Sequence, residues 1–126
     1  MLSKKQKKLP MASKEKALIC ARAALDKKAE DLQILDVRTV SSFSDYFIIC
    51  SGHSTRHVQG IVQAIEESLR PQKIYPKGIE GLGTGQWVLM DYNDVVIHVF
   101  YAPIREFYDL ESLWSEAKIV EVGEAK

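Results

Sequence analysis

Apolar residues recur along this chain with two periods. Positions 17, 18, 21, 24, 25, 29 and 32 hold alanine or leucine at helical spacing, and Ser13 is placed to cap that helix. The stretch QILDVRTV alternates and predicts a strand with Leu35 and Val37 on one face, and SSFSD breaks it. YFIIC is continuously apolar, as a strand covered on both faces would be. SGHS then turns the chain into a second helix, with Val58, Ile61, Val62, Ile65 and Leu69 as its core stripe and Pro71 beyond its end. A loop with Gly78, Gly81, Gly83 and Gly85 follows and reads as a flexible connector. WVLMDY and DVVIHVFYA read as a hairpin around Asn93, a residue that tolerates the positive φ of such turns. PIREFYDLESLW predicts one or two short helices. Pro103 stands at the first start, and Asp109 caps a turn with Leu110, Leu113 and Trp114 on one side.

This order predicts an α/β fold, a small mixed β-sheet flanked by helices. A chain of 126 residues is one domain by length, and at 46% apolar it can bury a core. The expected organisation is a disordered basic leader over 1–12, one domain over 13–117 and a ragged C-terminal tail over 118–126. The apolar runs are too short to span a bilayer, which argues against a membrane partner. Cys20 and Cys50 make no disulfide framework, so a reducing cytoplasm is the expected location. The leader carries no arginine, which argues against a transit peptide.

A net charge of zero conceals a split. Residues 1–16 carry six lysines against one glutamate, whereas residues 87–126 carry eight acidic groups against three basic ones. The basic end reads as a solvated leader, the one place where direct nucleic-acid contact is expected. The acidic end lies in the folded part and suits a basic protein partner.

Three patterns invite a chemical reading. Cys50, His53 and His57 stand as C-x2-H-x3-H, half of a zinc site. A zinc site wants three or four convergent ligands, and no fourth lies near in sequence. The turn from Cys50 to His57 could cradle a phosphate at the helix start, but a tight turn explains it too, with Gly52 supplying φ and Ser54 the cap. Asp91 and Asp94 could hold magnesium for nucleotidyl transfer, yet they lack the i, i+2 spacing that puts two carboxylates on one strand face. No metal or cofactor is therefore expected. The hairpin offers a different surface. If Asn93 and Asp94 form a two-residue turn, Trp87, Leu89, Asp91, Val96, His98 and Phe100 share one face, an aromatic anchor beside a carboxylate. The competing explanation is a filled core, with His98 satisfied inside it.

SSFSDYFIICSG, STRHV, WVLMDYNDVVIHVF and REFYDLESLW together resemble the ribosomal silencing factor family, also called the Iojap family. The resemblance runs from about Lys14 to Trp114. His53 stands where the family commonly has a small polar residue and Asn93 where it commonly has glycine, and the leader before Met11 lies outside the pattern. The resemblance implies a nucleotidyltransferase-like fold without that superfamily's chemistry. It implies a translational repressor that binds the large ribosomal subunit through its fourteenth protein, obstructs joining with the small subunit, and lowers translation under starvation. Carried onto this chain, it places Trp87, Asp91, Tyr92 and Asp94 at the interface, with Glu80, His98, Glu106 and Tyr108 as further contacts. An exposed aromatic face leaves room for a weak homodimer. The alternative is a nucleotide-binding or nucleotidyl-transferring enzyme.

Overall fold

The computed structural model describes residues 11–108 and 117–122, the side chains of 107 and 108 excepted. The elements are α1 (Ser13–Asp26), β1 (Glu30–Asp36), β2 (Tyr46–Gly52), α2 (Thr55–Leu69), a 3-10 turn (Arg70–Gln72), β3 (Gly78–Glu80), β4 (Trp87–Asp91), β5 (Val95–Tyr101), α3 (Ala102–Tyr108) and β6 (Lys118–Val120). The six strands form one sheet in the order β3-β4-β5-β2-β1-β6. Only β2 and β5 run parallel, paired from Tyr46↔Val95 to Gly52↔Tyr101. The other pairs are antiparallel, so the sheet is mixed, as the element order predicts.

Helices α1 and α2 cover one face. The small side chains of α1 (Ala17, Cys20, Ala21, Ala24) and the branched stripe of α2 (Val58, Ile61, Val62, Ile65, Leu69) meet Ile34, Ile48, Cys50, Val88, Met90, Ile97 and Val99 from the sheet. Full burial of such a branched side chain contributes about 1.5–3 kcal/mol by area, and this layer forms the main core. The opposite face is covered in part. Leu35, Val37, Ile49 and Phe100 are buried there, with Ile104 of α3 and Ala117 packed on them. Arg105 secures α3 by donating to the Asp31 carbonyl at 2.7 Å and the Ser51 hydroxyl at 3.0 Å.

Several local expectations change. Ser13 does not cap α1: Ala12 occupies the cap position, and Lys16 N–H donates to its carbonyl, so the helix starts one residue earlier than a serine cap would set it. The helix closes on Lys28 at φ 67, with Ala29 N–H donating to Ala24 O and Lys28 N–H to Leu25 O. The glycine-rich connector contains β3, because Ile79 pairs with Met90 on the helix-covered side. It is also tied down. Gly85 N–H donates to Gly81 O, Gln59 donates to Leu82 O, and both glycines have positive φ. Residues 118–120, assigned to a ragged tail by pattern, form β6 on the outer edge of β1, because Ile34↔Val120 and Leu35↔Ile119 pair across a ladder no local period reveals. Residues 1–10 of the expected leader 1–12, and the second C-terminal turn around Leu110, Leu113 and Trp114, lie outside the described residues.

The strand-to-helix turn has a different logic from the expected one. Gly52 is not at positive φ. A Cβ there would stand 3.0 Å from both the Val58 side chain and its backbone nitrogen, so glycine is needed for close approach. Ser54 does cap α2, accepting His57 N–H at 3.0 Å. Ser54→Ala should lower stability by about 1 kcal/mol in urea unfolding followed by circular dichroism, with native far-UV shape retained. No change in midpoint would show that the cap is dispensable.

Candidate partner-binding face

The hairpin turn sets the geometry of the candidate site. Tyr92 N–H donates to Val95 O, Asn93 adopts φ 78, and Asp91 accepts the Asn93 N–H at 2.7 Å. Asn93 and Asp94 thus make the two-residue turn. The resulting register pairs Trp87 with Phe100, Leu89 with His98 and Asp91 with Val96. All six project from the face opposite α1 and α2. Glu80 joins them, since it pairs with Leu89 from β3. Among the described residues, α3 lies over the half nearer β1 and β2, and no helix covers the half carried by β3 and β4. A shallow depression of about 340 Å³ lies there, lined by Glu80, Gly81, Trp87 and Leu89.

Trp87 is half-buried and held in one orientation. Its ring stacks on Phe100 at 4.9 Å between centroids, and its indole N–H donates to His98 Nδ1 at 3.2 Å. His98 is only 7% exposed, beneath Trp87 and edge-on to Phe47 at 5.5 Å. Burial pulls its pKa down to about 4, so the ring is neutral at physiological pH and its Nδ1 lone pair is free to accept. His98 therefore acts by positioning the indole, and burial removes it from direct contact with a macromolecule.

The remaining expected contacts divide. Asp91 is half-buried at the margin of the open face, Glu80 is exposed on it, and Glu106 is exposed on α3. Tyr92 is not available. One residue beyond Asp91, it points to the other side, is 4% exposed and packs in the helix-covered core, where burial raises its pKa. Asp94 is committed internally. Its carboxylate meets Lys16 Nζ of α1 at 2.7 Å, and its carbonyl accepts from Asp45 and Tyr46. The Tyr108 side chain lies outside the described residues. Pattern reasoning left Leu89 out of the contact set, although its parity with Trp87 signalled the shared face. It had no means of finding Lys16, whose partner is far away in sequence.

The C-x2-H-x3-H pattern does not converge. Cys50 is fully buried in the helix-side core, where desolvation raises its thiol to about 12. His57 is occupied at both ring nitrogens: Nδ1 accepts His53 N–H at 3.0 Å, and Nε2 lies 2.7 Å from Lys27 O, which fixes the Nε2–H tautomer. Among the described residues no group of three histidine, cysteine or acidic side chains could hold a metal ion. The carboxylates of Asp91 and Asp94 go to different partners, the Asn93 N–H and Lys16 of α1.

His98 also makes stability depend on pH. Its folded pKa is depressed below the ordinary 6.5, so the unfolded chain binds more protons in that window. Stability is full above pH 6.5 and falls as the pH drops toward 4, by about 3 kcal/mol for the whole shift. His98→Gln keeps an acceptor for Trp87 without titrating. Urea titrations at pH 7 and pH 4.5 should therefore give a smaller stability loss in this variant than in wild type. Equal losses would show that His98 is not the responsible group.

With this geometry in place, the comparisons with known proteins are specific. The family model described as "Ribosomal silencing factor during starvation" matches residues 10–126. A Bacillus subtilis protein named ribosomal silencing factor RsfS is 41% identical over 104 residues, covering 82% of this chain and 88% of the relative. A mouse protein named mitochondrial assembly of ribosomal large subunit protein 1 is 35% identical over 91 residues, 69% of this chain and 40% of that protein. A crystal structure of a Chromobacterium violaceum protein superposes with a TM-score of 0.81 at 33% identity, covering 92% of this chain and 98% of that one. Among the described residues no helix is long and apolar enough to cross a membrane. With its mixed six-stranded sheet and these matches over nearly its whole length, the chain belongs to the ribosomal silencing factor family.

Proposed function

We propose that this protein is a non-catalytic translational repressor of the cytoplasm. It binds the large ribosomal subunit through the subunit's fourteenth protein and sterically blocks association with the small subunit, lowering translation under starvation. Family membership supports the repressor reading, and the mouse relative's name supports the large subunit as partner. The observation that carries the reading to a surface is the open half of the sheet, where Trp87 and Leu89 form an apolar centre flanked by Glu80 and Asp91. A rigid aromatic centre with an acidic margin is what a basic ribosomal protein would be recognised by. Glu106 adds charge at the rim. His98 contributes by fixing the indole, and Asp94 by holding the hairpin to α1. Self-association through the same face would give a weak homodimer that competes with the subunit.

The alternative, a nucleotide-binding or nucleotidyl-transferring enzyme, has no observation in its favour: the turn at Cys50–His57 is filled by its own side chains, and the two hairpin aspartates diverge.

Co-sedimentation with purified large subunits tests the proposal. Wild type should pellet with the subunit and reduce its joining to small subunits. Asp91→Lys should weaken binding by about 2–5 kcal/mol if its carboxylate is desolvated against a cation. Trp87→Ala should also weaken it. Asp94→Asn should act mainly on stability, through loss of the Lys16 pair. Absence of wild-type binding would overturn the repressor reading, and wild-type-like binding by the Asp91 and Trp87 variants would move the contact elsewhere.

A further inference from the structure

Outside the open face, Phe43 is 89% exposed in the loop between β1 and β2, more than any other large apolar side chain among the described residues. A single exposed apolar side chain is ordinary on a protein surface, and exposure alone would carry nothing. What distinguishes Phe43 is how firmly its backbone is held. The Ser41 hydroxyl oxygen accepts both Phe43 N–H at 3.1 Å and Ser44 N–H at 3.2 Å. Ser41 N–H in turn donates to Val37 O at 2.8 Å. On the other side, Ser44 is 8% exposed, and its hydroxyl donates to the Asn93 carbonyl at 3.1 Å. Asp45 N–H donates to Asp94 O at 2.8 Å. The loop is thus pinned to the hairpin tip while the phenyl ring points into solvent.

The surroundings indicate what would cover it. The Asp94 charge is matched by Lys16 and the Asp36 charge by Arg38. Asp45, two residues from Phe43, and Asp91, beside the turn, make no ion pair among the described residues. The loop that carries Phe43 therefore has Asp45 two residues on, with Arg38 taken up chiefly by Asp36, and lies at the same end of the sheet as Asp91. A partner that covers it needs an apolar socket with basic side chains beside it.

We propose that Phe43 is a second, preorganised anchor of the docking surface, inserting into an apolar socket on the same basic protein surface of the large subunit that receives the Trp87 face. This deepens the reading above and rests on it. A loop already ordered before binding loses little conformational freedom when it docks, so the aromatic contact is retained in affinity.

The test compares wild type, Phe43→Ala, Phe43→Leu and Trp87→Ala by quantitative co-sedimentation with large subunits, alongside thermal melts and sedimentation velocity of the free proteins. Phe43→Ala should bind about tenfold more weakly, as loss of an interface anchor does. Phe43→Leu should recover most of that affinity, and neither change should move the melting temperature, because the ring contributes nothing to the core. Wild-type affinity in Phe43→Ala, with Trp87→Ala impaired, would overturn the anchor and leave the face reading intact. Altered self-association with unchanged subunit binding would also overturn it, assigning Phe43 to a contact between copies. A fall in melting temperature that accounts for the lost binding would overturn it as a structural effect. Failure of wild type to bind large subunits would overturn the function and the anchor together.

Discussion

The parallel ladder between β2 and β5 is the constraint on which the rest depends. These strands are the centre of the sheet and are buried on both faces, so their side chains are apolar on nearly every position. Their register, Tyr46↔Val95, brings the loop before β2 against the turn before β5. That alignment lets the Asp94 carbonyl accept from Asp45 and Tyr46, and the Asn93 carbonyl from Ser44. It also fixes which residues stand beside one another on the open side. A slip of one residue would reverse the exposure of every hairpin side chain.

The sheet is covered asymmetrically. Two full helices protect one face, while α3 protects only part of the other. Trp87 sits at the boundary: one side of its ring packs on Phe100, and its indole N–H is satisfied by a neutral buried histidine. An aromatic side chain held in this way presents area to a partner without first having to be ordered. The carboxylates around it have unequal roles. Asp91 shapes the turn from the margin of the face, Asp94 fastens the hairpin to α1, and Glu80 is exposed on β3.

Much of this arrangement was legible in the residues. The stripe at Val58–Leu69, the buried strand YFIIC, the Asn93 turn and the shared parity of Trp87, Asp91 and His98 follow from the 3.6- and two-residue periods and the preference of Asn for positive φ. The motif resemblance carried Tyr92 into the contact set, and burial at 4% exposure, one residue out of step with Asp91, corrects that. The same holds for His98, where an aromatic neighbour and burial convert a surface candidate into a support.

The sequence by itself determined the elements that local physics specifies: helices from apolar period and cap, strands from alternation and branching, a turn from its asparagine. It could not determine short edge strands such as β3 and β6, whose stability comes from ladder hydrogen bonds to partners distant along the chain. Nor could it decide which charges remain available to a partner. Lys16 and Asp94 are 78 positions apart, and only the packing of α1 beside the hairpin brings them to 2.7 Å. Tertiary structure decided what the face presents because exposure and charge pairing are properties of neighbours in space, whereas periodicity is a property of neighbours in sequence.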